Sequence, residues 1–113
     1  ISRDLKAIEG SDKYILKLKL ESYSIGEMPE SIDRKSRELL RNVEKEDPVC
    51  LIEYWSVDFN YDGRIFRPEM IFSKKANRVP DTCEKIVSDS RGGTVCVKTV
   101  DVLGNSSFTV IQV

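Results

Sequence analysis

Between Tyr14 and Tyr23 the chain alternates. Tyr14, Leu16, Leu18 and Leu20 fall on one parity, and Lys17, Lys19 and Glu21 on the other. A period of two with a single oily face predicts a half-buried β-strand. A shorter strand is expected around Leu5 to Ile8, set apart by the turn-forming "EGSD". After Pro29 the period lengthens. Ile32, Ser36, Leu39 and Val43 recur at helical spacing among arginines and glutamates, predicting one short amphipathic helix over about residues 30–42.

Beyond Pro48 strand chemistry returns. "VCLIEYWSVDFN" is rich in β-branched and aromatic residues, and "RIFRPEMIFS" follows it across Asp62-Gly63. "KKANRVPDT" reads as a loop, "CEKIVS" as a short strand, and "GGTVCVKTVDV" as a strand that "LGNS" turns back into "SFTVIQV". Strands that meet at turns, about seven of them, with one inserted helix predict a mostly β, Ig-like antiparallel β-sandwich. In the last hairpin Val95 and Val97 share one parity and Val100 and Val102 the other, so a bulge is expected near Thr99. Gly92-Gly93, standing between two strands after "SDSR", reads as a turn and not as a phosphate cradle.

One stretch raises a sharper possibility. In "DFNYDGRIFRPE", Asp58, Asn60, Asp62, Gly63 and Glu69 stand where a calcium loop of the EF-hand type places its ligands and its turning glycine. The rival is a two-residue hairpin at Asp62-Gly63. That register sets Tyr61 opposite Arg64, Phe59 opposite Phe66, Val57 opposite Pro68 and Trp55 opposite Met70, gathering the apolar side chains on one face. On the other face Asp58 meets Arg67. It also carries Glu69 about 20 Å from the turn, too far to share an ion with Asp62. The hairpin is the preferred reading, with Pro68 marking a sheet edge or a bulge.

Composition then narrows the function. The chain of 113 residues fits one domain, 1–113, and because it opens on Ile1 it is expected to be cut from a larger protein. Eighteen basic and nineteen acidic residues leave a net charge of −1, which argues against gripping nucleic acid by charge alone. No apolar run is long enough to span a bilayer, and no signal-peptide pattern opens the chain. Cys50, Cys83 and Cys96 lack CxxC spacing and read as buried cytosolic thiols packed in strands, so a cytoplasmic setting is expected. Histidine is absent, which removes Ser-His and Cys-His nucleophile pairs. Glu53 is the one acid on the hairpin's apolar face and has no acidic partner there, so neither a catalytic residue nor a cofactor or metal site is assigned.

The candidate contacts are basic. Arg64, Arg67, Lys74, Lys75 and Arg78 lie on the expected return strand and the loop after it, where they could meet DNA phosphates or a partner. Asp58, Asp62, Glu69 and Asp81 are interleaved, so five cations less four acids leave +1, the pattern of a solvated edge. A second basic set, Arg34, Lys35, Arg37 and Arg41, is balanced by Glu30, Asp33, Glu38 and Glu44. Trp55 could stack on an extruded base, but sharing its face with Val57 and Phe59 makes it a core anchor.

"LIEYWSVDFNYDGRIF" (Leu51 to Phe66) and "TVCVKTVDVLGNSSFTVIQV" (Thr94 to Val113) resemble the C-terminal region of adenine-specific DNA methyltransferases of restriction-modification systems. The match covers about a third of the chain. Phe59 stands where the family has Trp, Leu103 where it has Phe, and Pro68-Glu69 departs from its pattern. The resemblance implies a parent enzyme that moves a methyl group from S-adenosylmethionine to adenine N6. Neither the DPPY-type tetrapeptide nor a Gly-x-Gly occurs here, so no catalytic or cofactor residue carries over. The implied role is a non-catalytic accessory domain, with the parent's catalytic domain, a restriction subunit or the DNA backbone as partner. The alternative is a free-standing Ig-like binding module for a protein or for calcium.

Overall fold

The computed structural model of the chain describes residues 1–26, 28–88 and 93–113. Seven strands form two antiparallel sheets. The strands are β1 (Ser2–Ala7), β2 (Tyr14–Lys19), β3 (Ile52–Asp58), β4 (Met70–Ser73), β5 (Thr82–Val87), β6 (Thr94–Asp101) and β7 (Ser106–Gln112). The first sheet has the order β1-β2-β5 and the second β4-β3-β6-β7. In constant-type immunoglobulin domains the fourth strand joins the sheet of the first, second and fifth. Here it pairs with the third, so the partition is three against four.

The core lies between the sheets. Leu16, Leu18 and Leu20 come inward from β2 and the segment after it, as their alternation requires, against Trp55 and Val57 of β3 and Val95 and Val97 of β6. Trp55 is wholly buried, lies 4.5 Å from Phe72 in a stacked arrangement, and donates its indole N–H to the Pro80 carbonyl at 2.7 Å. That bond satisfies the one polar atom of a side chain that otherwise contributes pure apolar burial. Trp55 is thus the core anchor that its position on the third strand suggests.

The helix, α1, spans Arg34–Glu46 and not 30–42. Asp33 caps it by accepting from the Ser36 amide at 2.7 Å, which fixes the start. Pro29 to Ile32 is spent in a turn, and the charged "EKE" continues the helix until Pro48 forbids another turn. The inward face also differs. Leu40 and Val43 are half-buried, whereas Leu39 is 64% exposed. A 3-10 turn, Pro48–Leu51, leads into β3, and it holds Cys50, which therefore lies outside the strands that contain Cys83 and Cys96.

Two expectations about β6 and β3 fail. The β6–β7 ladder runs without a break from Thr94↔Gln112 to Val100↔Ser106, so Thr99 carries no bulge. Its inner face is Val95, Val97, Thr99 and Asp101. The irregularity sits instead on β3 between Ile52 and Tyr54, against β6. It lets Ile52 and Trp55 both face inward across a spacing of three, and turns Glu53 out to pair with Lys74 at 3.2 Å. Glu53 is therefore not an acid on the apolar face. The Gly92-Gly93 turn falls largely outside the described residues, although Gly93 itself has φ 74°.

Candidate interaction surface

Asp62-Gly63 is not a two-residue hairpin. β3 pairs with β4 through Tyr54↔Ser73, Trp55↔Phe72, Ser56↔Ile71 and Val57↔Met70, two residues beyond the expected register. A shift of two preserves parity, so the apolar residues keep their faces although every pair is wrong. Residues 59–69 form a loop, and only 70–73 of the expected return strand pair with β3. β4 is a sheet edge, and Pro68 precedes it within the loop.

Two carboxylates explain the loop. Asp58 is 2% exposed on the last residue of β3, and its oxygens accept the Asn60 amide and the Arg67 amide, each at 2.9 Å. The expected approach of Asp58 and Arg67 is real but runs through the backbone amide. The Arg67 guanidinium instead meets Asp62 at 3.0 Å. Asp62 also accepts the Arg64 and Ile65 amides at 2.8 and 2.9 Å, closing the tip at Gly63, where φ is 88°. Those two amides and then Arg67 hold the Asp62 carboxyl down at about 2. A bond from Glu69 N–H to the Val57 carbonyl at 2.8 Å brings the chain back.

The calcium-like spacing is spent on this arch. Asp58 and Asp62 serve backbone amides, and Glu69 reaches away to Lys85 of β5 at 3.2 Å. Among the described residues no group of three or more Asp, Glu or Cys side chains is gathered as metal ligands.

Folding back, the loop covers part of the outer face of the four-stranded sheet. By alternation Ser56, Asp58 and Cys96 point outward, yet each is buried. Phe66 descends edge-on to Phe108 of β7, with ring centroids 5.5 Å apart. Lys98 lies between the Tyr54 and Phe108 rings, 6.0 and 5.9 Å from their centroids. Register places Ile71, Ser56, Lys98 and Phe108 in one row across all four strands. Ile65, Ile71, Phe108 and Val110 are each more than half exposed. Together they form an exposed aliphatic and aromatic surface beside Lys98.

The expected basic cluster does not assemble as one free patch. Arg67 pairs with Asp62, Lys74 with Glu53, and Arg78 with Asp47 and Asp81. Asp47 receives the Arg78 guanidinium on both oxygens and also the Cys50 thiol at 3.1 Å. That thiol bond and then Arg78 hold the Asp47 carboxyl low, while the same bond raises the Cys50 thiol. Arg64 and Lys75 form no ion pair among the described residues. Lys75 and Arg78 instead bond backbone to backbone around a tight turn in which Ala76 has φ 58°.

Three members of the helical set, Arg34, Arg37 and Arg41, are occupied as well. Arg41 donates to the Ile25 and Gly26 carbonyls, Arg37 to the Pro29 and Ile32 carbonyls, and Arg34 pairs with Glu38. Glu44 accepts the Ile25 amide at 2.7 Å. Arg37, Arg41 and Glu44 clamp the chain entering the helix, whereas Arg34 and Glu38 pair on the exposed surface of the helix itself.

Asp101 was missed as a site of structure. It is 1% exposed, and one oxygen accepts the Leu103 and Asn105 amides while the other accepts the Tyr23 hydroxyl at 2.6 Å. Burial first, then the Asp101 bond and charge, raise the Tyr23 hydroxyl above its ordinary value. The Asp-x-x-Gly-Asn spacing of the tail was the available signal, since an aspartate two residues before an open amide favours an Asx turn.

No helix among the described residues is long and apolar enough to cross a membrane. Comparison with protein-family models found no match, and searches of curated proteins and of solved structures found none either.

Proposed function

We propose that this chain is a non-catalytic interaction module that binds a protein partner through the outer face of its four-stranded sheet. The exposed Ile71 and Phe108 at the two ends of that row, with Phe66 brought onto Phe108 by the Asp58 arch, carry this reading. We further infer that the parent is an S-adenosylmethionine-dependent, adenine-specific DNA methyltransferase of a restriction-modification system. The partner is then its catalytic domain or a restriction subunit. Support comes from the two segments that resemble that family, which contribute β3, β6 and β7 and so lie side by side in one sheet. DNA-backbone contact is the weaker role, since Arg67, Lys74 and Arg78 already face carboxylates.

A second reading is a free-standing binding module with no tie to methylation. The residues carrying the resemblance favour it by having structural work of their own, Trp55 in the core, Asp58 in the arch and Asp101 in the final turn.

The test has two arms. The reading frame 5′ of the Ile1 codon is expected to encode a DPPY tetrapeptide and a Gly-rich cofactor loop, and a frame lacking both removes the methyltransferase. Binding of the chain to the polypeptide encoded upstream is then measured by calorimetry for Ile71→Glu and Phe108→Glu. Each is expected to weaken binding about 10-fold or more, as loss of a central apolar contact does. Unchanged affinity for both removes the surface.

A further inference from the structure

Among the described residues four strands have an unpaired side: β1, β5, β4 and β7. Three are protected in the usual manner. β1 carries Arg3, Asp4 and Lys6, β5 carries Glu84 and Lys85, and β4 is only four residues long with Lys74 and Lys75 beside it. β7 differs. Its seven residues, "SSFTVIQ", include no charge, no proline and no glycine, and from Ser106 to Val110 all are exposed. An uncharged, regular edge of this length offers its main chain to another strand.

The register shows which groups are on offer. Val113 donates to the Gly93 carbonyl, and Asp101 donates to the Asn105 carbonyl. Both pairs belong to the β6–β7 ladder, so the odd-numbered residues of β7 direct N–H and C=O toward β6. Ser106, Phe108, Val110 and Gln112 therefore direct theirs to the open side. Read in the opposite direction, this set pairs with itself. Around a two-fold axis at Thr109, Ser106 meets Gln112 and Phe108 meets Val110, polar against polar and apolar against apolar. No charge is buried, and about eight main-chain hydrogen bonds form.

We propose that two copies of this chain join edge to edge through β7, antiparallel and in this register, fusing their four-stranded sheets into one. The inference goes beyond the binding role assigned above. The occupant is a second copy because the open edge is its own complement in order and polarity, and it presents nothing for a charged partner to match.

The test is the mass of the whole chain by light scattering from micromolar to near-millimolar concentration, with two kinds of variant. The wild-type chain is expected to approach twice 12.9 kDa. Val110→Lys, which sets a charge opposite Phe108 of the second copy, is expected to stay folded by circular dichroism and monomeric. Ile71→Lys lies on the opposite edge strand of the sheet and is expected to remain dimeric. In a Cys50→Ser background, Thr109→Cys is expected to form an intermolecular disulfide on mild oxidation, because the paired residues at the axis stand about 4.5 Å apart. Ser107→Cys, displaced from the axis, is expected not to. A monomer at every concentration overturns the proposal, as does a dimer that survives Val110→Lys or is locked by Ser107→Cys in place of Thr109→Cys.

Discussion

Replacing Asp58 with alanine removes both acceptors that hold the 59–69 loop, namely the bonds from the Asn60 and Arg67 amides at 2.9 Å. Hydrogen bonds to a charged acceptor contribute about 1.5–3 kcal/mol each. Asn60 and Arg67 are themselves exposed, so water recovers part of the loss at each amide. The expected cost is about 2–3 kcal/mol. At an unfolding entropy near 0.24 kcal/mol/K for a chain of this length, that lowers Tm by about 8–12 °C. Cys96 gives a local readout. It is fully buried opposite Asp58 on the face that the loop covers, and its thiol is raised by burial and then by Asp58. Loosening the loop by 2–3 kcal/mol speeds alkylation of Cys96 by about 30- to 150-fold. Cys83 is the reference, because it lies in the other sheet and burial pushes its thiol up to about 11. Cys96 is expected to accelerate more than Cys83, followed by mass spectrometry of the labelled peptides. An unchanged Tm together with unchanged Cys96 labelling would refute the arch.

Tyr23→Phe leaves one oxygen of buried Asp101 without its donor and is expected to cost about 1.5–3 kcal/mol in a urea melt. The Asp62 carboxyl is depressed in the folded chain, so its contribution is full above the unfolded value near 3.9 and disappears as pH falls toward about 2. NMR titration should find its midpoint near 2, with the Ile65 amide shifting in step, and a midpoint near 4 would contradict the turn. Leu39→Glu should change stability by less than about 0.5 kcal/mol, whereas Leu40→Ala should cost about 1 kcal/mol or more. The reverse order would restore the helix face expected from sequence. Ala76→Gly, relieving a left-handed φ of 58°, should raise stability by about 0.5–1 kcal/mol.

Strand chemistry was legible wherever burial and alternation agreed. β2 shows this best, since Leu16, Leu18 and Leu20 are buried while Lys17 and Lys19 are exposed. The final hairpin is legible in the sequence, but the parity of its valines does not report its register. β6 is covered on both faces at Cys96, inward by the core and outward by the loop, so alternation does not mark its register. The helix is legible in the sequence but its start is not, because Asp33 outcompetes Pro29 as a start signal once its side chain can reach the Ser36 amide. Leu39 and Leu40 are adjacent, so periodicity alone could not say which one turns inward.

The reversal at Asp62-Gly63 is legible in the sequence, but its length is not. Asx bonding by both Asp58 and Asp62 competes with ladder pairing and wins through four backbone amides. The basic residues were identified individually, while their partners were not. Asp47 lies 31 positions before Arg78, and Lys85 lies 16 after Glu69. Such pairings follow from the packing of the two sheets and leave no local trace in the sequence.

The sharpest check on the proposed surface is a proton NOE spectrum of the aromatic side chains. With the arch in place, Phe66 ring protons should show cross-peaks to Phe108, whose ring centroid lies 5.5 Å away, and Trp55 to Phe72 at 4.5 Å. Cross-strand peaks of Phe59 with Phe66 and of Trp55 with Met70, and none from Phe66 to Phe108, would mean a simple hairpin at Asp62-Gly63 and would remove the binding face.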